Sequence, residues 1–193
     1  MSNDHFQEGV VFKGDDYTET LFQKGEYEAC EFIDCNFSNV DLSNCIFVAC
    51  TFYNCDLSMV NLQKTAYRST HFKDCKLLGV SFEACNPFLL AFHFEQCLLN
   101  YSSFQQLSIV GTTFSNCQLM EVDFIATNAM GVQFENCNLQ GAHFERTNLQ
   151  KADFRTAQNY KIDPELNKVK GAKFSIRGLA GLLAKYDLKI DLI

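Results

Sequence analysis

A chain of 193 residues, 47% of them apolar and 20% charged, is long enough for one domain with a substantial core. It opens MSNDHFQEG, without a basic-then-apolar leader, and no run approaches the roughly 18 apolar residues of a membrane span, so a soluble cytoplasmic protein with no membrane contact is expected. The net charge of −7 lies in the first half, where residues 1–90 carry 13 acidic and 6 basic side chains against 10 of each beyond, and this disfavours direct nucleic-acid binding, which is led by Lys and Arg contacts to phosphate.

Residues 1–11 precede any regular pattern and are expected to form an N-terminal cap. From Phe12 a large apolar residue recurs every five positions: Tyr17, Phe22, Tyr27, Phe32, Phe37, Leu42, Phe47, Phe52, Leu57, Leu62, Tyr67, Phe72, Leu77 and Phe82. Neither the helical period of 3.6 nor the strand period of 2 produces this interval, so it points to an internal repeat. Pro87 occupies the next slot, and after Phe88-Leu89-Leu90-Ala91-Phe92-His93 the beat resumes at Phe94, displaced by two. The spacing predicts a two-residue bulge near 87–93. From Gly111 to Phe154 the beat is most regular, with only Ala129 small. Two places before each beat stands a small residue, as in Cys117, Val122, Thr127, Val132, Cys137, Ala142 and Thr147.

Four beats make a 20-residue coil with four sides, so residues 20 apart should stack. Phe12, Phe32, Phe52, Phe72, Phe94, Phe114, Phe134, Phe154 and Phe174 then form one column, and Leu57, Leu77, Leu99, Leu119 and Leu139 dominate the next. At about 4.8 Å per row the tower is about 40 Å long. Ala152-Asp153-Phe154-Arg155-Thr156 and Val40-Asp41-Leu42-Ser43-Asn44 match the A(D/N)LXX motif, and over about residues 10–175 the chain resembles the pentapeptide-repeat family. The resemblance implies an all-β solenoid, a right-handed quadrilateral β-helix of pentapeptide repeats, here over 12–157.

A loop and last partial coil are expected over 158–174, where Asp163-Pro164 interrupts the beat and Phe174 returns to the first side. Ser175 reads as an N-cap. Ile176 to Tyr186 reads as a short C-terminal helix within 175–193, since Leu179, Leu182, Leu183 and Tyr186 share one stripe despite Gly178 and Gly181. This segment serves as a lid over the open end or as a dimer contact.

All ten cysteines, at 30, 35, 45, 50, 55, 75, 85, 97, 117 and 137, fall in the small slot, which predicts free, buried thiols. There is no CxxC. His71 and His93 take equivalent outward positions on neighbouring rows, but spacing fixes no third ligand beside them, and solvated histidines without a metal are the expectation. Catalytic motifs such as GxSxG or HExxH are absent, so neither catalysis nor a cofactor is expected.

Within the family, the length and the apolar C-terminal segment resemble the Qnr-type, gyrase-binding members. That resemblance implies a homodimer joined through Leu179, Leu182, Leu183, Tyr186, Ile190 and Leu192, and a rod that imitates duplex DNA and binds DNA gyrase or topoisomerase IV. The partner-facing acidic side would comprise Glu31, Asp34, Asp74, Glu95, Glu135 and Asp153. The alternative is an interaction scaffold unrelated to topoisomerases. Its contact patch would be Phe88, Leu89 and Leu90, with Met59, Leu98 and Tyr101 among the other outward apolar residues.

Overall fold

A corner is built into every beat. Two residues beyond most inward side chains the backbone turns left-handed, as at Asp34, Asn39, Asn44 and Asn54, with φ of 55°, 61°, 62° and 52°. Asn and Asp tolerate this conformation better than other side-chain-bearing residues, and Gly111, Gly131 and Gly141 meet it without a Cβ penalty. A computed structural model describes residues 5–189, so Ile190 and Leu192 lie outside the described residues.

The repeated corners wind the chain into a parallel quadrilateral β-solenoid. One side is a seven-stranded parallel sheet formed by β2 (Val11–Lys13), β4 (Glu31–Ile33), β6 (Thr51–Tyr53), β8 (Thr70–Lys73), β9 (Phe92–Glu95), β10 (Thr113–Ser115) and β11 (Gln133–Glu135). A second side, in the first half only, is the four-stranded sheet of β1 (Phe6–Glu8), β3 (Glu26–Glu28), β5 (Ile46–Val48) and β7 (Ala66–Arg68). The remaining sides pair through isolated parallel bridges such as Asn36↔Asp56 and Ser103↔Asp123. Because Phe6 already pairs with Glu26, the first coil starts inside residues 1–11.

The residue just before the inward position helps to decide between strand and turn. Where it is Asn or Asp, its Oδ1 in most cases accepts the N–H two residues on: Ser38 to Asn36 at 3.1 Å, Ser43 to Asp41 at 3.0 Å, Ile125 to Asp123 at 2.7 Å. That local bond curls the segment. Where it is Glu31, Thr51, Ile46 or Thr113 no such acceptor is in place, and the segment is a strand. Lys76, Leu98, Gln118 and His143 depart from the pattern: each forms only an isolated bridge, and after Leu98 the Ser102 N–H still closes a turn onto the Leu99 carbonyl at 3.1 Å.

Inside, the Phe column from Phe12 to Phe174 is continuous. Successive rings stack with centroids 4.7–5.4 Å apart and planes within 23°. Neighbouring columns meet edge to face, as Phe124 does with Phe134 at 80°. Each such ring pair adds roughly 0.5–1.5 kcal/mol beyond area burial. The rows cover one another as in other repeat proteins, so stability is the sum of many row-to-row interfaces.

The small slot carries a hydrogen-bonding role as well as a size limit. Thr65, Thr127 and Thr147 donate their hydroxyls to the carbonyls of Leu42, Phe104 and Phe124, each at 2.7 Å. The thiols of Cys50, Cys55, Cys75 and Cys137 point to the equivalent carbonyls of Tyr27, Phe32, Phe52 and Phe114 at 3.2–3.3 Å. All ten cysteines are free and buried. Burial pushes the Cys45 and Cys50 thiols up to about 11 and 12, which keeps them protonated and unreactive.

The slip in the beat is a register shift: Phe72 pairs with Phe94 and Thr70 with Phe92. Pro87 is exposed and contributes no ring to the fourth side. Phe92, 1% exposed, turns inward from the small slot and packs against Tyr67, Phe82 and Phe94 at 5.6, 5.3 and 5.5 Å.

The C-terminal helical segment is 3-10 in type, in two pieces, Ile176–Leu182 and Ala184–Tyr186, ending at a left-handed Asp187. Ser175 caps it, its Oγ accepting Gly178 N–H at 3.3 Å.

Candidate functional site

The side of the tower that bears the seven-stranded sheet carries the expected acidic side chains, Glu31, Glu95 and Glu135 on its strands, Asp34 and Asp74 at its corners and Asp153 on the row beyond β11. Glu31, Asp34, Glu95 and Glu135 are exposed, while Asp74 and Asp153 are half-buried. Asp34 accepts from Asn54 Nδ2 at 2.8 Å, and Glu135 from Ser115 Oγ at 3.3 Å. Two of the carboxylates have cationic neighbours on the same face. Glu95 pairs with Lys73 at 2.9 Å, and Asp153 with Arg155 at 2.7 Å and Lys173 at 3.8 Å. The Arg155 hydrogen bonds hold the Asp153 carboxyl below its ordinary range. The face is therefore acidic at intervals, in contrast to the uniform charge of duplex DNA at one per about 1.7 Å.

Between these charges, His71 and His93 stand side by side in register on β8 and β9, ring centroids 4.7 Å apart and planes 20° from parallel. Desolvation, with help from His71, lowers the pKa of His93. The pair lines a shallow depression of about 570 Å³ with Thr51, Lys73, Glu95 and Thr113. Among the described residues no group of three or more His, Cys, Asp or Glu converges as a metal cage.

At the bulge the structure divides the expected apolar patch. Phe88 and Leu89 are 64% and 65% exposed, whereas Leu90 packs partly against the core. The Arg68 guanidinium sits 5.8 Å from the Phe88 ring centroid and helps to hold it on the surface. Met59, Leu98 and Tyr101 are also exposed, on the second side of the coil.

At the C-terminal end the predicted stripe splits in the same manner. Leu182 packs against the core, while Leu179, Leu183 and Tyr186 are 45%, 38% and 54% exposed. A 3-10 segment repeats every three residues, which takes Leu183, four residues after Leu179, off the α-helical stripe. The segment is fastened to the tower by Ile162 N–H to the Gly181 carbonyl at 3.1 Å and by Lys185 to Asp163 at 3.0 Å.

Three features escaped sequence reasoning. Phe92 is the first, disguised by its place in the small slot. The second is Asn167, 8% exposed, whose Nδ2 donates to the Phe144 carbonyl at 2.9 Å as the Thr hydroxyls do elsewhere; its place 20 residues after Thr147 was the available signal. The third is the pair Gly178 and Gly181, which lie so close over Tyr160 that a Cβ would come within 1.9 Å of its Oη and 2.2 Å of its carbonyl oxygen.

Compared with known proteins, residues 45–124 and 102–174 match the family profile of the pentapeptide repeat region. A comparison with curated proteins finds no match. Among solved structures, a trypsin-treated form of QnrB1, a plasmid-mediated fluoroquinolone resistance protein, superposes with a TM-score of 0.58 at 17% identity, covering 99% of this chain and 93% of that one. A second trypsin-treated form gives 0.51 at 17% identity, covering 97% and 100%. At this identity the likeness is one of fold. No helix among the described residues is long and apolar enough to cross a membrane.

Proposed function

Because this chain belongs to the pentapeptide-repeat proteins, we propose that it works without catalysis, by presenting the outside of a filled tower to a protein partner, and that the partner is a type II topoisomerase, DNA gyrase or topoisomerase IV. The observation that carries the reading is the division of labour in the fold. The interior is occupied by stacked side chains, so recognition falls to the outer faces and the ends, where Glu31, Asp34, Asp74 and Glu135 line one side. The fold likeness to a fluoroquinolone resistance protein supports the choice of partner. The exposed Leu179, Leu183 and Tyr186 at the C-terminal end join two copies into a longer rod in the cytoplasm. A scaffold for some other partner is the rival reading, favoured by the pairing of Glu95 and Asp153 with cations and by the exposure of Phe88 and Leu89.

The test is a supercoiling assay with purified gyrase, run beside molar mass by light scattering. The topoisomerase reading expects the wild type to alter supercoiling, and charge reversal of Glu31, Asp34 and Glu135 to Lys to abolish the effect. It also expects a dimer that Leu179→Lys with Leu183→Lys converts to a folded monomer. A wild type without effect on gyrase or topoisomerase IV contradicts it and leaves the scaffold reading.

A further inference from the structure

We propose that His71 and His93 form a divalent transition-metal site on the outer face of the seven-stranded sheet, with two imidazoles as the protein ligands and solvent completing the coordination sphere. The parallel register places the two side chains on adjacent strands facing the same way, with ring centroids 4.7 Å apart. Both residues are exposed on a rigid ladder, so small rotations about their side-chain bonds bring two ring nitrogens onto one ion without moving the backbone. The depression of about 570 Å³ around them leaves room for the ion and its waters. Glu95, two residues along β9 from His93, is paired with Lys73, two residues along β8 from His71, so the charges beside the two rings offset one another and the imidazoles carry the binding. Imidazole suits Ni, Cu and Zn, and with only two nitrogen ligands the affinity should follow the Irving–Williams order. The thiols do not compete, because every cysteine is buried.

The probe is Ni(II) alone, titrated into the full chain without an affinity tag and followed by calorimetry and by the histidine ring signals in NMR. One ion per chain is expected, with the His71 and His93 ring signals broadened first. His71→Gln and His93→Gln should each weaken binding by at least about tenfold, while His143→Gln leaves it unchanged. Both substitutions are on the surface, and an unaltered far-UV spectrum confirms that the variants are folded. Equal binding by the wild type and a His71→Gln, His93→Gln double variant overturns the proposal, as does broadening that starts at His5 or His143.

Discussion

Before the bulge the fourth side of the coil is a sheet, and after it the same side is a series of turns. Tyr27, Phe47 and Tyr67 point inward from β3, β5 and β7, preceded by Glu26, Ile46 and Ala66. Ile109, Ala129 and Leu149 point inward beyond it, preceded by Ser108, Asn128 and Asn148, and each of their carbonyls accepts an N–H three residues on at 3.1–3.3 Å. Inward size does not make the difference, because Phe104 and Phe124 also sit in turns. The preceding residue matters more. Asn148 Oδ1 accepts Gln150 N–H at 3.3 Å, a local bond that Glu26, Ile46 and Ala66 are not placed to offer. The long sheet follows the same rule at its far end. Beyond Gln133–Glu135 the next row begins with Asp153, whose Oδ1 accepts Arg155 N–H at 3.1 Å, and pairing continues only as an isolated bridge. One beat thus sets which side chains are inside, and a separate position modulates the backbone between them.

The largest expected effect comes from breaking the join between the two regions. Phe92→Ala removes the ring that fills the row where Pro87 faces out, and should cost about 3–5 kcal/mol in denaturant unfolding. A loss below about 1 kcal/mol would mean that the bulge collapses around the gap. A smaller effect isolates the turn rule. Asp123→Val removes the 2.7 Å acceptor for Ile125 N–H and should cost about 1 kcal/mol. Thr113→Val, at the equivalent place on a strand, should change stability by less than about 0.5 kcal/mol, since a β-branched residue suits it. Equal losses would remove the distinction.

Smaller still is a pH effect in the first half. Burial raises the Asp41 pKa, but hydrogen bonds from Lys24 and from the Ser43 hydroxyl and N–H outweigh it and hold the carboxyl at about 2. A folded pKa below the unfolded value stabilises above the ordinary carboxylate range, and that stability is lost as pH falls from about 3.8 towards 2. Because the side chain of Asp41 is 54% exposed, the effect is small. Asp41→Asn should flatten the melting temperature against pH within that window and leave the remainder of the curve unchanged.

These contrasts show which parts of the structure the residues announce. Burial was legible because one rule, a large residue every fifth position with a small one two before it, recurs from Phe12 to Phe154 with few departures, and the two-residue slip at Phe94 emerged from the same count. Strand against turn is legible only in part, in the Asn and Asp that precede inward positions, because Lys76, Leu98, Gln118 and His143 also lead into turns or bends without offering that bond. Phe92 and Leu90 were illegible because an insertion leaves the direction of each side chain to packing. The C-terminal stripe was only half legible, since the way the segment docks on the tower, rather than its own period, leaves Leu182 on the core and Leu179 and Leu183 outside. The outer face was readable as a set of positions, whereas the pairing of Glu95 with Lys73 depends on the slipped register of β8 and β9.

The most direct test of the common inward register is thiol accessibility, because the ten cysteines sample coils on both sides of the bulge and share one slot in the beat. Native protein should react slowly with a thiol reagent at neutral pH, from Cys30 through Cys137, and denatured protein should react completely and at once. Rapid labelling of most thiols in the folded protein, or of those on one side of the bulge alone, would contradict a single register running through the tower.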